Sequence, residues 1–148
     1  MTTFSAFIKH WEMTARQLGD AGEKMVRDAL NHVGFNARIE HMVNCGDILA
    51  HLPDGYGELY AIEVKTSRKG RDGNFAFQLF KKDKYGQTSC KNCDFVILLC
   101  VLDSGFVVPF CIPYEKIRGQ KKIELSGQIL SYSGKYKPYR RQIGRMML

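Results

Sequence analysis

Three side chains in this sequence have the types and spacing to gather round a cation or an anion. Glu63 and Lys65 stand two apart in "EVKTS" (63–67), at the end of the apolar run that begins at Leu59, and Asp47 opens "DILAHL". Side chains alternate between the faces of a strand, so Glu63 and Lys65 share one face. The turn chemistry of "PDGYG" predicts a β-hairpin spanning 47–66. If its loop centres on Gly55, Leu52 faces Glu58 and Asp47 faces Glu63. A two-residue Asp54-Gly55 turn would shift the pairing by one and put Asp47 on the opposite face, unless a bulge corrects it.

In the first register the two carboxylates have Cβ atoms about 4.5–5.5 Å apart, where like charges repel. Such a pair favours a shared proton or a divalent cation. Magnesium takes one or two carboxylates and completes its octahedron with water and substrate phosphate oxygens. A neighbouring lysine can then hold a scissile phosphate, or orient an attacking water and help deprotonate it. The plainer alternative is that Glu63 and Lys65 are the solvated face of an antiparallel strand and Asp47 a turn residue after Gly46.

Glu23 is a third acid that could reach the hairpin. A helix is predicted over 20–33, with Asp20 as its cap, Gly34 as its stop, and Met25, Val26, Ala29, Leu30 and Val33 at helical spacing. Glu23 shares a face with Val26, Leu30 and Val33. Equally, Asp20-x-x-Glu23 has the spacing of a capping box.

The elements that must position these acids read as strands at 35–43, 47–52, 58–66, 94–102 and 106–112. Residues 75–85 mix the alternation of Phe75, Phe77 and Leu79 with a helical second half. "DFVILLCVL" (94–102) is apolar throughout, as in a central strand covered on both faces. Pro109 marks the next strand as an edge, and "PYEKI" (113–117) reads as a short helical turn. Phe4, Phe7, Ile8 and Trp11 suggest an amphipathic N-terminal helix within 1–18, packed on the core or across a dimer interface. The element order predicts an α/β (α+β) fold around a mixed sheet.

The bulk numbers narrow the class. Length predicts one domain over 1–148, and 45% apolar with 25% charged residues excludes a disordered chain. No apolar run approaches the ~20 residues that span a bilayer. The N-terminus lacks a signal-peptide core and the five cysteines form no disulfide framework, so the expectation is a cytoplasmic protein. Residues 115–148 carry nine Lys and Arg against Glu115 and Glu124, which equals the whole net charge of +7. After Glu124, Lys135, Lys137, Arg140, Arg141 and Arg145 alternate with Tyr132, Tyr136 and Tyr139. That interleaving suits a nucleic acid, and the alternative is a solvated basic tail. Cys90-x-x-Cys93 has zinc-ligand spacing, but no second pair completes a tetrahedral site, so a zinc role is not expected.

The order Glu23, Asp47, Glu63-x-Lys65 resembles the PD-(D/E)XK nuclease superfamily over roughly residues 20–102. Its pattern is an acid near the start of one hairpin strand and (D/E)-x-K on the next. Here Gly46-Asp47 stands where the family often has Pro-Asp, and "IEVKT" matches the second half. The resemblance implies a restriction-endonuclease-like core, a central mixed sheet flanked by helices. It implies Mg²⁺ as cofactor, with Mn²⁺ substituting. Asp47 and Glu63 would be ligands, the Val64 carbonyl a third, Lys65 the catalytic lysine and Glu23 the first-helix acid, also near the metal. Gln78 would match a polar residue that some members place after the lysine. Ser67, Arg68 and Lys69 would hold phosphates flanking the cut, with Lys135, Lys137, Arg140 and Arg141 on the DNA from the C-terminal segment. The text from "VVPFCIPYEKI" onward is similar to restriction-type and intron-homing members, whereas archaeal-type Holliday junction resolvases share the small size and early glutamate. The implied activity is a metal-dependent endonuclease acting on double-stranded DNA as a two-fold homodimer. A Holliday junction resolvase is the alternative enzyme, and a non-catalytic nucleic-acid-binding module the alternative of another class.

Overall fold

Thr14 opens the helix that carries Glu23. Its backbone is extended, its hydroxyl accepts the Gln17 N–H at 3.1 Å, and the Gln17 side chain accepts the Thr14 N–H at 2.9 Å. This capping box starts helix α1 (Ala15–His32) six residues before Asp20. Asp20 is therefore an exposed interior residue and not a cap. The capping-box account of Glu23 falls with it. Leu18, Gly22, Met25, Val26 and Leu30 form the buried stripe of α1.

The computed structural model describes residues 2–3, 7, 9–40, 46–51, 59–79 and 93–143. The strands are β1 (Thr2–Thr3), β2 (Asn36–Ile39), β3 (Ile48–His51), β4 (Leu59–Arg68), β5 (Phe75–Gln78), β6 (Phe95–Val101), β7 (Phe106–Pro113) and β8 (Lys122–Leu125). Six of them form one mixed sheet in the order β1-β7-β6-β4-β3-β2, with β4 and β6 parallel and every other pair antiparallel. β5 and β8 pair antiparallel in a second small sheet. The alternation of Phe75 and Phe77 was thus the sound signal in 75–85, and β5 buries both. The second half of that segment, with Lys81, Lys82 and Lys84, lies outside the described residues, as do the hairpin turn at 52–58, Cys90 and Arg145.

The main sheet separates two apolar layers. On one face α1 packs on Ile48, Ala50, Ile62, Val64, Ile97, Leu99 and Val101. On the other, β5, β8 and the C-terminal segment cover Val96, Leu98, Cys100, Val108, Phe110 and Ile112. β6 feeds both layers, which is why its sequence is apolar throughout. β1 borders β7 only at Phe106 and Val107, so Pro109 stands on the sheet's border, where its missing N–H does least harm.

The ends of the chain differ from expectation. Among the described N-terminal residues no amphipathic helix precedes α1: β1 joins the sheet edge, Phe7 enters the core and His10–Glu12 make a single 3-10 turn with Trp11 exposed. Phe4 and Ile8 lie outside the described residues. The basic C-terminal region is a folded layer and not a tail. Ile117, Ile123, Leu125, Ile129 and Tyr136 are buried in it, and Phe110 bridges to Arg140. Among the described residues no helix is long and apolar enough to cross a membrane.

Candidate active site

β4 is paired differently along its two halves. Leu59 to Ile62 bond to β3, and Ile62 to Arg68 run beside β6. The β3 ladder ends at the pair Ile48↔Ile62, so beyond it one edge of β4 has no strand partner among the described residues. Asp47 takes up the first position on that open edge. Its N–H donates to the Ile62 carbonyl at 2.8 Å, and its Oδ2 accepts the Val64 N–H at 3.0 Å. The ladder register is the one centred on Gly55, with His51 opposite Leu59.

Gly46 allows this fold-back. Its φ is +89°, and a Cβ there would lie 2.8 Å from the Ile62 carbonyl oxygen. Real side chains do not approach a backbone so closely, and L-residues avoid this φ. Proline, fixed near φ −65°, is excluded outright. The departure from Pro-Asp to Gly46-Asp47 therefore has a geometric cause, and the sequence held no signal for it beyond the glycine's place before Asp47.

Glu63 and Lys65 face the layer opposite α1, in register with Val96 and Leu98. Glu63 is only 7% exposed, and Lys65 Nζ lies 3.1 Å from its Oε1. Burial, above all, holds the Glu63 carboxyl above the usual carboxylate range. The charge of Asp47 pushes the same way, Lys65 pulls back, and Glu23 adds the smallest upward push. Two further acids thus act on the buried Glu63, against the ammonium of Lys65.

These residues fit a divalent cation. Asp47 and Glu63 supply hard carboxylate oxygens. The N–H and C=O of one strand residue point to the same side, so with its N–H on Asp47, the Val64 carbonyl also faces the open edge. Among the described residues no three His, Cys, Asp or Glu side chains are close enough to hold an ion together. Two carboxylates and a carbonyl remain, which suits magnesium because it keeps several of its waters. Glu23 stands further off, on the helix across the strand.

The other predicted residues scatter. Gln78 is on the exposed face of β5, opposite Phe75 and Phe77, which turn toward the main sheet. The Ser67 hydroxyl donates to the Arg68 carbonyl at 2.9 Å. Arg68 points away from Lys65, and its guanidinium donates to the carbonyls of His10 and Met13. Lys69 is exposed, 4.0 Å from Asp103. In the C-terminal layer Lys137 is exposed, and exposed Lys135 sits 5.0 Å from the Tyr136 ring centre. Arg140 donates to the carbonyls of Ile129 and Leu130, and Arg141 to that of Pro138. Cys93 is buried.

No family model and no curated protein matches the sequence. Solved structures do. The chain is similar to I-Ssp6803I, a bacterial homing endonuclease, with a TM-score of 0.62 and 16% identity over 86% of each chain. It is also similar to Hjc, a Holliday junction resolvase from the archaeal hyperthermophile Archaeoglobus fulgidus, with a TM-score of 0.50 and 17% identity over 86% of this chain and 93% of that one. The likeness is one of fold: the α+β core with a mixed central sheet that the order Glu23, Asp47, Glu63-x-Lys65 led us to expect of a PD-(D/E)XK nuclease.

Proposed function

We propose that the protein is a metal-dependent endonuclease that hydrolyses phosphodiester bonds in double-stranded DNA. The observation that carries this reading is the pairing of Asp47 with Glu63 at the open edge of β4, with Lys65 3.1 Å from Glu63. Asp47, Glu63 and the Val64 carbonyl would hold Mg²⁺ or Mn²⁺. Bound there, the cation would supply Lewis acidity to the phosphoryl oxygen and a water acidic enough to attack at neutral pH. Lys65 stands beside the carboxylates, where its ammonium would orient the phosphate and offset charge building in the transition state. Burial of Glu63 keeps the site in a low dielectric, where each of these charges acts more strongly.

Lys69, Lys135, Lys137 and Arg141 would neutralise phosphates and position the duplex, without reading its sequence. Cutting both strands with one site per chain calls for two copies related by a two-fold axis. The likeness to I-Ssp6803I supports a site-specific, homing- or restriction-like enzyme, and the likeness to Hjc supports a resolvase as the second reading.

The test is cleavage of a supercoiled plasmid and a synthetic four-way junction, with Mg²⁺ or EDTA, by wild type and Lys65→Ala. The expected result is Mg²⁺-dependent cutting that Lys65→Ala lowers by about 10²–10³-fold. Preference for the junction at equal salt would select the resolvase. Cutting that persists in EDTA or in Lys65→Ala would contradict the mechanism.

A further inference from the structure

We infer that Gly22 and Thr66 form the seat that sets how far Glu23 reaches toward the Asp47–Glu63 site. The inference rests on the functional reading above and adds to it two positioning residues that do not touch substrate.

Two glycines interrupt α1, and they differ. A Cβ on Gly19 would have nothing within 4 Å. A Cβ on Gly22 would collide with Thr66 Oγ1, and would lie 3.1 Å from Thr66 Cβ and 3.2 Å from Leu99 Cδ1. Glycine inside a helix is unfavourable relative to alanine, so a buried one needs a packing reason. Here that reason is the approach of α1 to β4. Thr66 is on the α1-facing side of the same strand that displays Glu63 and Lys65 on the other. Its hydroxyl is buried and makes no hydrogen bond, so the contact with Gly22 is one of shape alone.

The seat matters because of what lies one residue further along the helix. Glu23 is close enough to act on Glu63, although it is not part of a three-acid cluster. Its carboxylate would orient water at the site, and that effect would depend on where the helix sits. A side chain at position 22 would meet both Thr66 and Leu99, so we expect it to lift α1 off β4 and carry Glu23 with it. Misplacement of a catalytic constellation by about 1 Å lowers rates by up to about 10²-fold.

The experiment compares Gly22→Ala, the control Gly19→Ala, the double variant Gly22→Ala/Thr66→Ala, and Glu23→Gln. Three quantities are read: Tm, Mg²⁺ affinity by calorimetry, and cleavage rate at saturating Mg²⁺. Gly19→Ala should match wild type in affinity and rate. Gly22→Ala should cleave about 10- to 100-fold more slowly and bind Mg²⁺ more weakly. Thr66→Ala removes the hydroxyl that the new methyl meets, so the double variant should recover most of both losses. Glu23→Gln should reproduce the losses with a wild-type Tm.

Wild-type affinity and rate in folded Gly22→Ala, no recovery in the double variant, or wild-type behaviour of Glu23→Gln would each overturn the inference. If Gly22→Ala does not fold, the double variant and Glu23→Gln decide it. If wild type cuts neither substrate, the seat stands or falls on whether Gly22→Ala and Glu23→Gln weaken Mg²⁺ binding.

Discussion

Burial and the charge of Asp47 both hold the Glu63 carboxyl above its usual range, against the ionised form that the proposed chemistry needs. The folded protein therefore holds this proton more tightly than the unfolded chain does. Without metal, that contribution to stability is fully present below the ordinary glutamate value of 4.5 and is lost as pH rises through the folded pKa of Glu63. Thermal melts in EDTA should show Tm falling across this window. Mg²⁺ at a hundredfold excess over its Kd should add about 2.7 kcal/mol at pH 8. Glu63→Gln should lose both the pH slope and the Mg²⁺ response, and melt in EDTA at pH 8 no lower than wild type. Gly46→Ala should cost about 1–3 kcal/mol in denaturant melts, because the backbone there has positive φ and no room for a methyl. At this scale much of the site was legible, because a strand's period of two and one turn centre suffice to place Asp47, Glu63 and Lys65. The requirement for glycine at 46 was not, since it comes from a backbone contact with Ile62 that no spacing encodes.

β4 divides its labour by face. Its odd-numbered residues Glu63 and Lys65 present the candidate chemistry, while Thr66 seats α1 and Arg68 ties down the N-terminal segment through the carbonyls of His10 and Met13. Arg68→Ala should thus destabilise the fold by about 2 kcal/mol while leaving the salt dependence of DNA binding unchanged, read by denaturant melts and binding titrations. Thr14→Ala should cost about 1 kcal/mol by removing the N-cap. Alternation and β-branched runs made the strands legible. The start of α1 was not, because Asp20-x-x-Glu23 and Thr14-x-x-Gln17 both have the spacing of a capping box, and the true cap lies one turn before Leu18. The C-terminal layer was hidden for a related reason. Ile123 and Leu125 enter the core from the four-residue strand β8, and Ile117, Ile129 and Tyr136 from short turns, among basic residues that read as a tail.

For the whole molecule, the +7 charge belongs to residues 115–148, and the described part of that region, 115–143, is a layer packed on the sheet face that also displays Glu63 and Lys65. Its exposed cations are therefore fixed in place relative to the proposed site, which suits a duplex held in one register. Lys137→Ala should weaken binding evenly across DNA sequences and lower the slope of log affinity against log salt by about one. Arg140, already bonded to the Ile129 and Leu130 carbonyls, should change that slope less. The fold-level likeness to two nucleases is meaningful for this chain only if the acid pair binds a metal. The decisive measurement is calorimetric titration of Mg²⁺, repeated with Mn²⁺, into wild type and Asp47→Ala. We predict saturable binding to wild type and its loss in Asp47→Ala with the fold intact. Equal affinity in the two proteins would mean that Asp47 and Glu63 do not form a cation site, and the proposed activity would fail with it.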